Sequence, residues 1–211
     1  MKTTQCIRRS SCRLCNSGEL ELVIQLTPTP PANAFVKSNR VEVAQSVFPL
    51  DIFFCKNCSH VQLLDVIDPK ILFSEYVYVS GTSPLFVEHF RRYASDVVTQ
   101  FTPKVGSLVV DIGSNDGTLL SFFKKAGMSI LGIDPARKIV EEANRNGIET
   151  LGGFFNQSLA EKILVSKGPA SIITANNVFA HADDLEGIIQ GVRSLLAPDG
   201  IFIFEVSYLA D

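Results

Sequence analysis

From residue 107 onward the sequence alternates between two periodicities, and this limits the folds open to the chain more than any other feature. The runs "SLVVDIG" at 107–113, "MSILGID" at 128–134, "ASIITANN" at 170–177 and "GIFIFEV" at 200–206 are aliphatic, aromatic and β-branched, and read as strands buried on both faces. Helical segments separate them. "GTLLSFFKKAG" closes on Gly127, "PARKIVEEANRNG" opens on Pro135 and closes on Gly147, and further helices are expected at 156–167 and about 183–196, the last followed by the turn "PDG". Strand, helix and strand repeated in this way specify a doubly wound α/β unit with a mostly parallel sheet. Ligands of such sheets bind outside the carboxyl ends of the strands, so the residues there are the candidates for chemistry.

Those residues are unusual. The first strand runs into "DIGSNDG", which puts Asp111 ahead of a loop containing Gly113, Asn115, Asp116 and Gly117, and the second ends about twenty residues later in "GIDP", with Asp134 and Pro135. A glycine-rich first loop lets backbone approach a ligand closely, and a carboxylate at the second strand tip can take both hydroxyls of a ribose. A dinucleotide site needs G-x-G-x-x-G with a pyrophosphate on the helix N-terminus. Here Asn115 and Thr118 replace the second and third glycines, and Asp111 and Asp116 surround the pyrophosphate position with negative charge. That charge suits the sulfonium and ammonium groups of S-adenosylmethionine instead. The loop is similar to the first motif of class I methyltransferases with its middle glycine exchanged for Asn115, a residue that tolerates left-handed backbone. Asn176 and Asn177, after the strand at 170–177, either contact the cofactor or cap their own loop.

Ahead of this unit, four of the five cysteines form two C-x-x-C pairs, "CRLC" (Cys12, Cys15) and "CKNC" (Cys55, Cys58). Two such pairs read as a structural zinc site, in which four thiolates close the tetrahedron and leave no open position for catalysis. Their separation of about forty residues exceeds the about fifteen to twenty of the commonest double-knuckle spacing. Cys6 is expected to remain unligated, and His60 to pack rather than ligate. A Pro-rich stretch at 26–35 and the strand "VFPLDIFFC" lie between the pairs. The organisation expected is a zinc-binding domain at 1–68, a connecting segment and helix at 69–103, and a cofactor-binding domain at 104–211. "DPKILFSEYVYVSGTS" shows no helical period. "SPLFVEHFRRYASDVVTQF" reads as a helix with Ser83 as N-cap, Pro84 at its first position and a stripe of Leu85, Phe86, Phe90, Tyr93, Val97 and Phe101. His89, beside that stripe, is expected to be packed or exposed rather than functional.

Composition narrows the function classes. With 46% apolar residues the 211-residue chain can bury a substantial core. Its formal charge of −3 divides into eight basic against six acidic residues over 1–70 and eleven against sixteen over 71–211, too weak an asymmetry for a nucleic-acid partner. No apolar run reaches the roughly eighteen residues of a membrane span, and "MKTTQCIRRSSCRLC" lacks the apolar centre of a secretory signal. A soluble, cytoplasmic protein without membrane or nucleic-acid partners is the expectation.

The ordered set "CRLC", "CKNCSHVQL", "YVYVSGTS", "DIGSNDGTLL", "GIDP" and "ANNVFAHADD" resembles the sugar C-methyltransferases that act on nucleotide-linked keto-deoxysugars, over nearly the whole chain. The resemblance implies a Rossmann-like class I methyltransferase domain preceded by a zinc-ribbon-like domain. It also implies methyl transfer from S-adenosylmethionine to the carbon beside a ketone of a nucleotide-linked sugar. By position, the family's active-site tyrosine falls on Tyr76 and the histidine closing "ANNVFAH" on His181. Each has an alternative as a packed residue, and Tyr78 is expected to be the packed one of its pair.

The sequence departs from the family in one respect. The Tyr-x-Glu-His stretch that supplies the family's base, and the lobe that covers the sugar, have no counterpart before Asp211. "IFIFEV" is accordingly expected to be an apolar edge strand, paired by a second copy, a separate partner chain or a further piece of the same chain, with Glu205 and Tyr208 at its carboxyl end.

Overall fold

The computed structural model describes residues 5–207, so Tyr208 lies outside the described residues. The chain divides into two compact units, 1–76 and 77–211.

The first unit contains strands β1 (Cys6–Arg8), β2 (Leu20–Ile24), β3 (Ile52–Cys55), β4 (Val61–Leu63) and β5 (Asp65–Ile67), then a short helix α1 (Pro69–Phe73). β2, β3 and β4 form an antiparallel meander, and β1 pairs antiparallel with β5. α1 occupies the segment in which the sequence shows no helical period, because five residues are too few to display one. The local chemistry specifies it instead: Asp68 caps the amide of Lys70 at 2.9 Å and Pro69 opens the first turn. Among the described residues of this unit the buried apolar side chains are Cys12, Phe48, Phe53, Cys55 and Leu64, two of them cysteines, while Phe35 is 82% exposed. So small a core does not hold a unit of this size by burial alone.

The second unit runs α2 (Pro84–Phe101), β6 (Leu108–Ile112), α3 (Thr118–Lys125), β7 (Ser129–Asp134), α4 (Arg137–Arg145), β8 (Thr150–Gly152), α5 (Gln157–Lys167), β9 (Ala170–Asn176), α6 (Leu185–Leu195) and β10 (Leu196–Glu205). Its sheet has the order β10-β9-β6-β7-β8 with every pairing parallel. The chain builds outward from β6 through β7 to β8, then crosses back to β9 and β10. The order therefore reverses between β6 and β9, which places a ligand crevice at their carboxyl ends. Alternate strand residues face opposite layers. Val110, Ile133 and Ile173 pack with Ile163, Ile188 and Leu195 of α5 and α6. Val109, Ile130 and Ile172 pack with Phe90, Leu120, Phe123 and Ala143 of α2, α3 and α4.

Three local expectations are corrected. Leu85 is 83% exposed, and the packed face of α2 is Phe90, Ala94 and Val97 at helical spacing. Pro135 precedes α4, which starts at Arg137, because the Asp134 carboxylate takes the Ala136 amide at 2.8 Å and delays the first turn. The "PDG" turn is a bulge within β10, whose register against β9 slips between Leu196 and Ile201. β10 is also only half-buried, with Phe204 53% exposed, since among the described residues it pairs on one side alone.

Phe123 is fully buried in the layer on the α3 face. Phe123→Ala is expected to lower the unfolding free energy of this unit by about 3–5 kcal/mol, read from the urea midpoint at unchanged slope.

Candidate functional site

The four thiolates predicted as ligands converge. The Sγ atoms of Cys12, Cys15, Cys55 and Cys58 all lie within 4.8 Å of one another, with Cys12 to Cys58 at 3.7 Å and Cys15 to Cys55 at 3.6 Å. With Zn–S bonds of about 2.3 Å, a tetrahedron has S···S edges of about 3.8 Å, so the cluster fits zinc. No disulfide joins these residues. The two knuckles share one construction. The residue after each pair, Asn16 or Ser59, takes a positive φ of 60° or 61°, and its amide donates to the carbonyl of the first cysteine at 2.9 and 2.8 Å. β2 and β3 bring the knuckles together, pairing Leu20 with Cys55. Cys6 lies outside the cluster. His60 contributes its carbonyl, which accepts from the Cys55 amide at 3.0 Å.

The second centre lies at the carboxyl ends of β6, β7 and β9. The loop after β6 is left-handed at Gly113, Asn115 and Gly117, with φ of 72°, 50° and 78°. At Gly113 a Cβ would run into Val178, and at Gly117 into Ile148. Asn115 holds the left-handed conformation that the sequence requires of a substitute for glycine. The amides of Gly113 and Ser114 donate to the Ile133 carbonyl at 2.7 and 3.1 Å, and the Asn115 amide donates to Asp134 Oδ2 at 2.9 Å. Asp134 thus fixes the loop with one oxygen and the start of the next connection with the other, and each oxygen retains a lone pair.

Asp111 and Asp134 are 4% and 7% exposed, and neither is ion-paired among the described residues. Burial pushes the Asp111 carboxyl up to about 7 against the 2.6 Å hydrogen bond donated by Thr174, and the nearby Asp134 charge raises it further. Burial also raises Asp134, opposed by the amides of Ala136 and Asn115. Two desolvated acidic groups without a cation, Asp111 ionising only near pH 7, disfavour a diphosphate and are drawn to ionise by a positively charged ligand, which fits the sulfonium and ammonium of S-adenosylmethionine.

Other site residues fall at different distances from this centre. Asn176 ends β9 with both carboxamide atoms buried and without a hydrogen-bond partner among the described residues. The Tyr93 hydroxyl faces it outside good hydrogen-bond geometry, and burial raises that phenol. Such an unsatisfied carboxamide beside the loop can take a polar ligand. Asn177, at φ 56°, donates its backbone amide to the Glu205 carbonyl at 2.7 Å and its side chain to Glu205 Oε1 at 3.3 Å. His181 is exposed in a 3-10 turn after β9. Tyr76 closes the first unit, where its hydroxyl accepts from Asn33 at 3.2 Å and its ring meets Phe73 edge-on. Tyr78, expected to be the packed one, is 40% exposed, and its carbonyl accepts from Asn115 Nδ2 at 2.9 Å. The side chains of Asn115 and Asp116 turn to the backbone of 78–81.

Two partnerships escape sequence reading. Thr174 carries a weak signal, a lone hydroxyl within an apolar strand. The pair of His89 Nε2 with Glu205 Oε2 at 2.7 Å carries none, because α2 and the end of β10 meet only through the tertiary fold.

One zinc per chain is expected by metal assay, and Cys55→Ser is expected to lose it and the folded NMR signals of the first unit while those of β6–β10 persist. Below about pH 4 Asp111 is protonated in both the folded and the unfolded chain and does not affect stability. Between about pH 4 and about 7 the unfolded chain ionises it while the folded chain holds the proton, so stability falls across that window and levels off above it. Asp111→Asn escapes this penalty, so its Tm should gain on wild type by about 2 °C or more between pH 5 and pH 8. A Tm difference that does not change with pH would refute this titration.

Comparison with known proteins agrees with both centres. Residues 12–73 match the family model described as "Putative zinc binding domain" and residues 86–211 the one described as "Methyltransferase domain". The C-methyltransferase NovU of Streptomyces niveus is 34% identical over 95% of this chain and 48% of its own length. A ubiquinone biosynthesis O-methyltransferase of Ralstonia nicotianae is 26% identical over 52% of this chain and 47% of its own. The chain therefore spans about half the length of these curated relatives. Among solved structures, an S-adenosylmethionine-dependent methyltransferase from Thiobacillus denitrificans in complex with S-adenosylhomocysteine superposes with a TM-score of 0.42 at 20% identity, covering 54% of this chain and 47% of that one. Among the described residues no helix is long and apolar enough to cross a membrane. The methyltransferase match takes in the whole sheet and the 113–117 loop, and the zinc-domain match takes in all four thiolates: the chain belongs to the S-adenosylmethionine-dependent methyltransferase family, with a zinc-binding domain ahead of its methyltransferase domain.

Proposed function

We propose that this chain is the zinc-binding and cofactor-binding part of a C-methyltransferase acting on a nucleotide-linked keto-deoxysugar. The observation that carries this reading is the 34% identity to a protein named as a C-methyltransferase, extending over 95% of this chain and hence across both domains. When bound, S-adenosylmethionine supplies the electrophilic methyl carbon that the substrate's enolate attacks in line. A ketone acidifies the neighbouring C–H, so the chemistry needs a base for that proton, donors for the developing oxyanion and alignment of the two reactants.

In this reading Gly113, Asn115 and Gly117 shape the loop on which the cofactor lies, and Asp111 and Asp134 supply negative charge. The remaining lone pairs of Asp134 accept from the ribose hydroxyls. Asn176 contributes its unsatisfied carboxamide and Pro135 flanks the adenosine. His181 holds the ketone oxygen or a neighbouring hydroxyl, and Tyr76 contacts the sugar. The proton-abstracting residue is assigned to a further segment of the relatives' length, bearing the Tyr-x-Glu-His stretch, which arrives as more of the same chain or as a separate partner. Covering β10 is the role assigned to that segment, or to a second copy.

The cofactor reading is tested by calorimetry with S-adenosylhomocysteine. Asp134→Asn should weaken binding about tenfold or more, whereas a 2′,3′-dideoxyribose analogue should bind both proteins alike. Equal affinity of wild type and Asp134→Asn for S-adenosylhomocysteine would remove Asp134 from the ribose. Transfer of labelled methyl to a nucleoside-diphosphate 4-keto-6-deoxyhexose should require the added segment. Transfer by residues 1–211 alone would overturn the assignment of the base.

A further inference from the structure

The backbone of residues 77–81 belongs to no sheet; its own 3-10 turn takes the carbonyls of Val79 and Ser80, and two side chains of the cofactor loop take the Tyr78 carbonyl and the amides of Ser80 and Gly81. Asn115 Oδ1 accepts from the Ser80 amide at 2.9 Å while Asn115 Nδ2 donates to the Tyr78 carbonyl at 2.9 Å. This is how a parallel strand neighbour would bond around Val79, accepting from the residue after it and donating to the residue before. One carboxamide thus replaces a rung of a ladder. Asp116 Oδ2 takes the next amide, that of Gly81, at 2.9 Å, while its Oδ1 accepts from the Thr118 amide and hydroxyl at 3.1 and 2.7 Å. The approach is close enough to explain the glycine of "YVSGT": a Cβ on Gly81 would stand 2.5 Å from Asp116 Oδ2 and 2.9 Å from Thr118 Oγ1.

Asn115 is also bound from its other side. Its own amide donates to Asp134 Oδ2 at 2.9 Å, the carboxylate that pins the loop to the end of β7. A chain of contacts therefore runs from Asp134 through the backbone of Asn115 and its carboxamide to the 78–81 segment, all within the second unit. Glycine at position 115 would keep the left-handed backbone and the bond to Asp134 but have nothing with which to reach Tyr78 and Ser80, and would also lose the acceptor of the Asp116 amide, which Asn115 Oδ1 binds at 3.0 Å.

We infer that Asn115 is a positioning residue that couples cofactor binding on the 113–117 loop to the seating of the 78–81 segment as a strap against that loop. Cofactor binding fixes the loop and the strap gains order. By reciprocity, a loosened strap weakens cofactor binding. The inference rests on the assignment of the loop to the cofactor and not on the identity of the acceptor.

Amide hydrogen exchange on the full chain, with and without S-adenosylhomocysteine, tests it. In the wild type the ligand should slow exchange of the Ser80 and Gly81 amides about tenfold or more. Asn115→Gly should exchange Ser80 about tenfold faster without ligand, lose the ligand-induced protection, and bind S-adenosylhomocysteine about three- to tenfold more weakly. Ser80→Pro leaves the sequence of the loop unchanged. It removes the same donor at the first position of a 3-10 turn, after a residue with φ −121° and ψ 119° that accepts a following proline. It should weaken the ligand equally, and the double variant should be no weaker than either single one. Additive losses, or ligand binding with Ser80 and Gly81 exchange unchanged, would overturn the coupling alone. No binding to wild type would overturn it together with the cofactor assignment.

Discussion

The 2.9 Å hydrogen bond from the Asn115 amide to the Asp134 carboxylate joins the loop after β6 to the end of β7, the two pieces of chain that frame the candidate site. The loop after β6 and the end of β7 lie next to each other because the strands are paired, but the pairing alone does not fix the loop. A buried carboxylate that needs donors and a loop whose left-handed residues present amides satisfy each other. Without this bond the Asn115 amide would lose its acceptor and the buried Asp134 carboxylate would keep only the Ala136 amide, so the geometry of the site and the burial of its charge are one constraint.

That constraint explains why the carboxyl ends of the sheet are charged. Asp111 and Asp134 are held out of water, Asp111 with its carboxyl raised to about 7, and the parallel pairing of β6 with β7 sets them side by side at the edge of the crevice that the switch of strand order between β6 and β9 opens. A site of this kind disfavours phosphate and favours a cation. The family match and the electrostatics point to the same ligand on independent grounds. The first unit answers a different problem, a core too small to hold itself. Its four thiolates stand at tetrahedral spacing, so the metal supplies the cohesion that burial does not.

Much of this was legible because local sequence and final structure ask for the same thing. The left-handed positions 113, 115 and 117 carry Gly, Asn and Gly; the α2 N-cap is Ser83 with Pro84 after it; each C-x-x-C pair is followed by a residue able to take positive φ. Where a local rule had nothing to read, expectation and structure parted. α1 is too short to show a period, Leu85 fits the stripe but not the packed face, and the "PDG" turn survives as a bulge because the β9 edge continues beside it.

The sequence by itself determined the order of strands and helices, the two thiolate pairs and the acidic, glycine-containing loop, because these follow from periodicity, spacing and backbone preference over a few residues. Only the tertiary structure decided what those side chains do with one another. Thr174 meets Asp111, His89 meets Glu205 across 116 positions, and the Asn115 carboxamide serves Tyr78 and Ser80 as well as the Asp116 amide of its own loop. Hydrogen bonds of this kind depend on positions a few tenths of an ångström wide. Those positions exist only once the sheet has brought distant segments side by side.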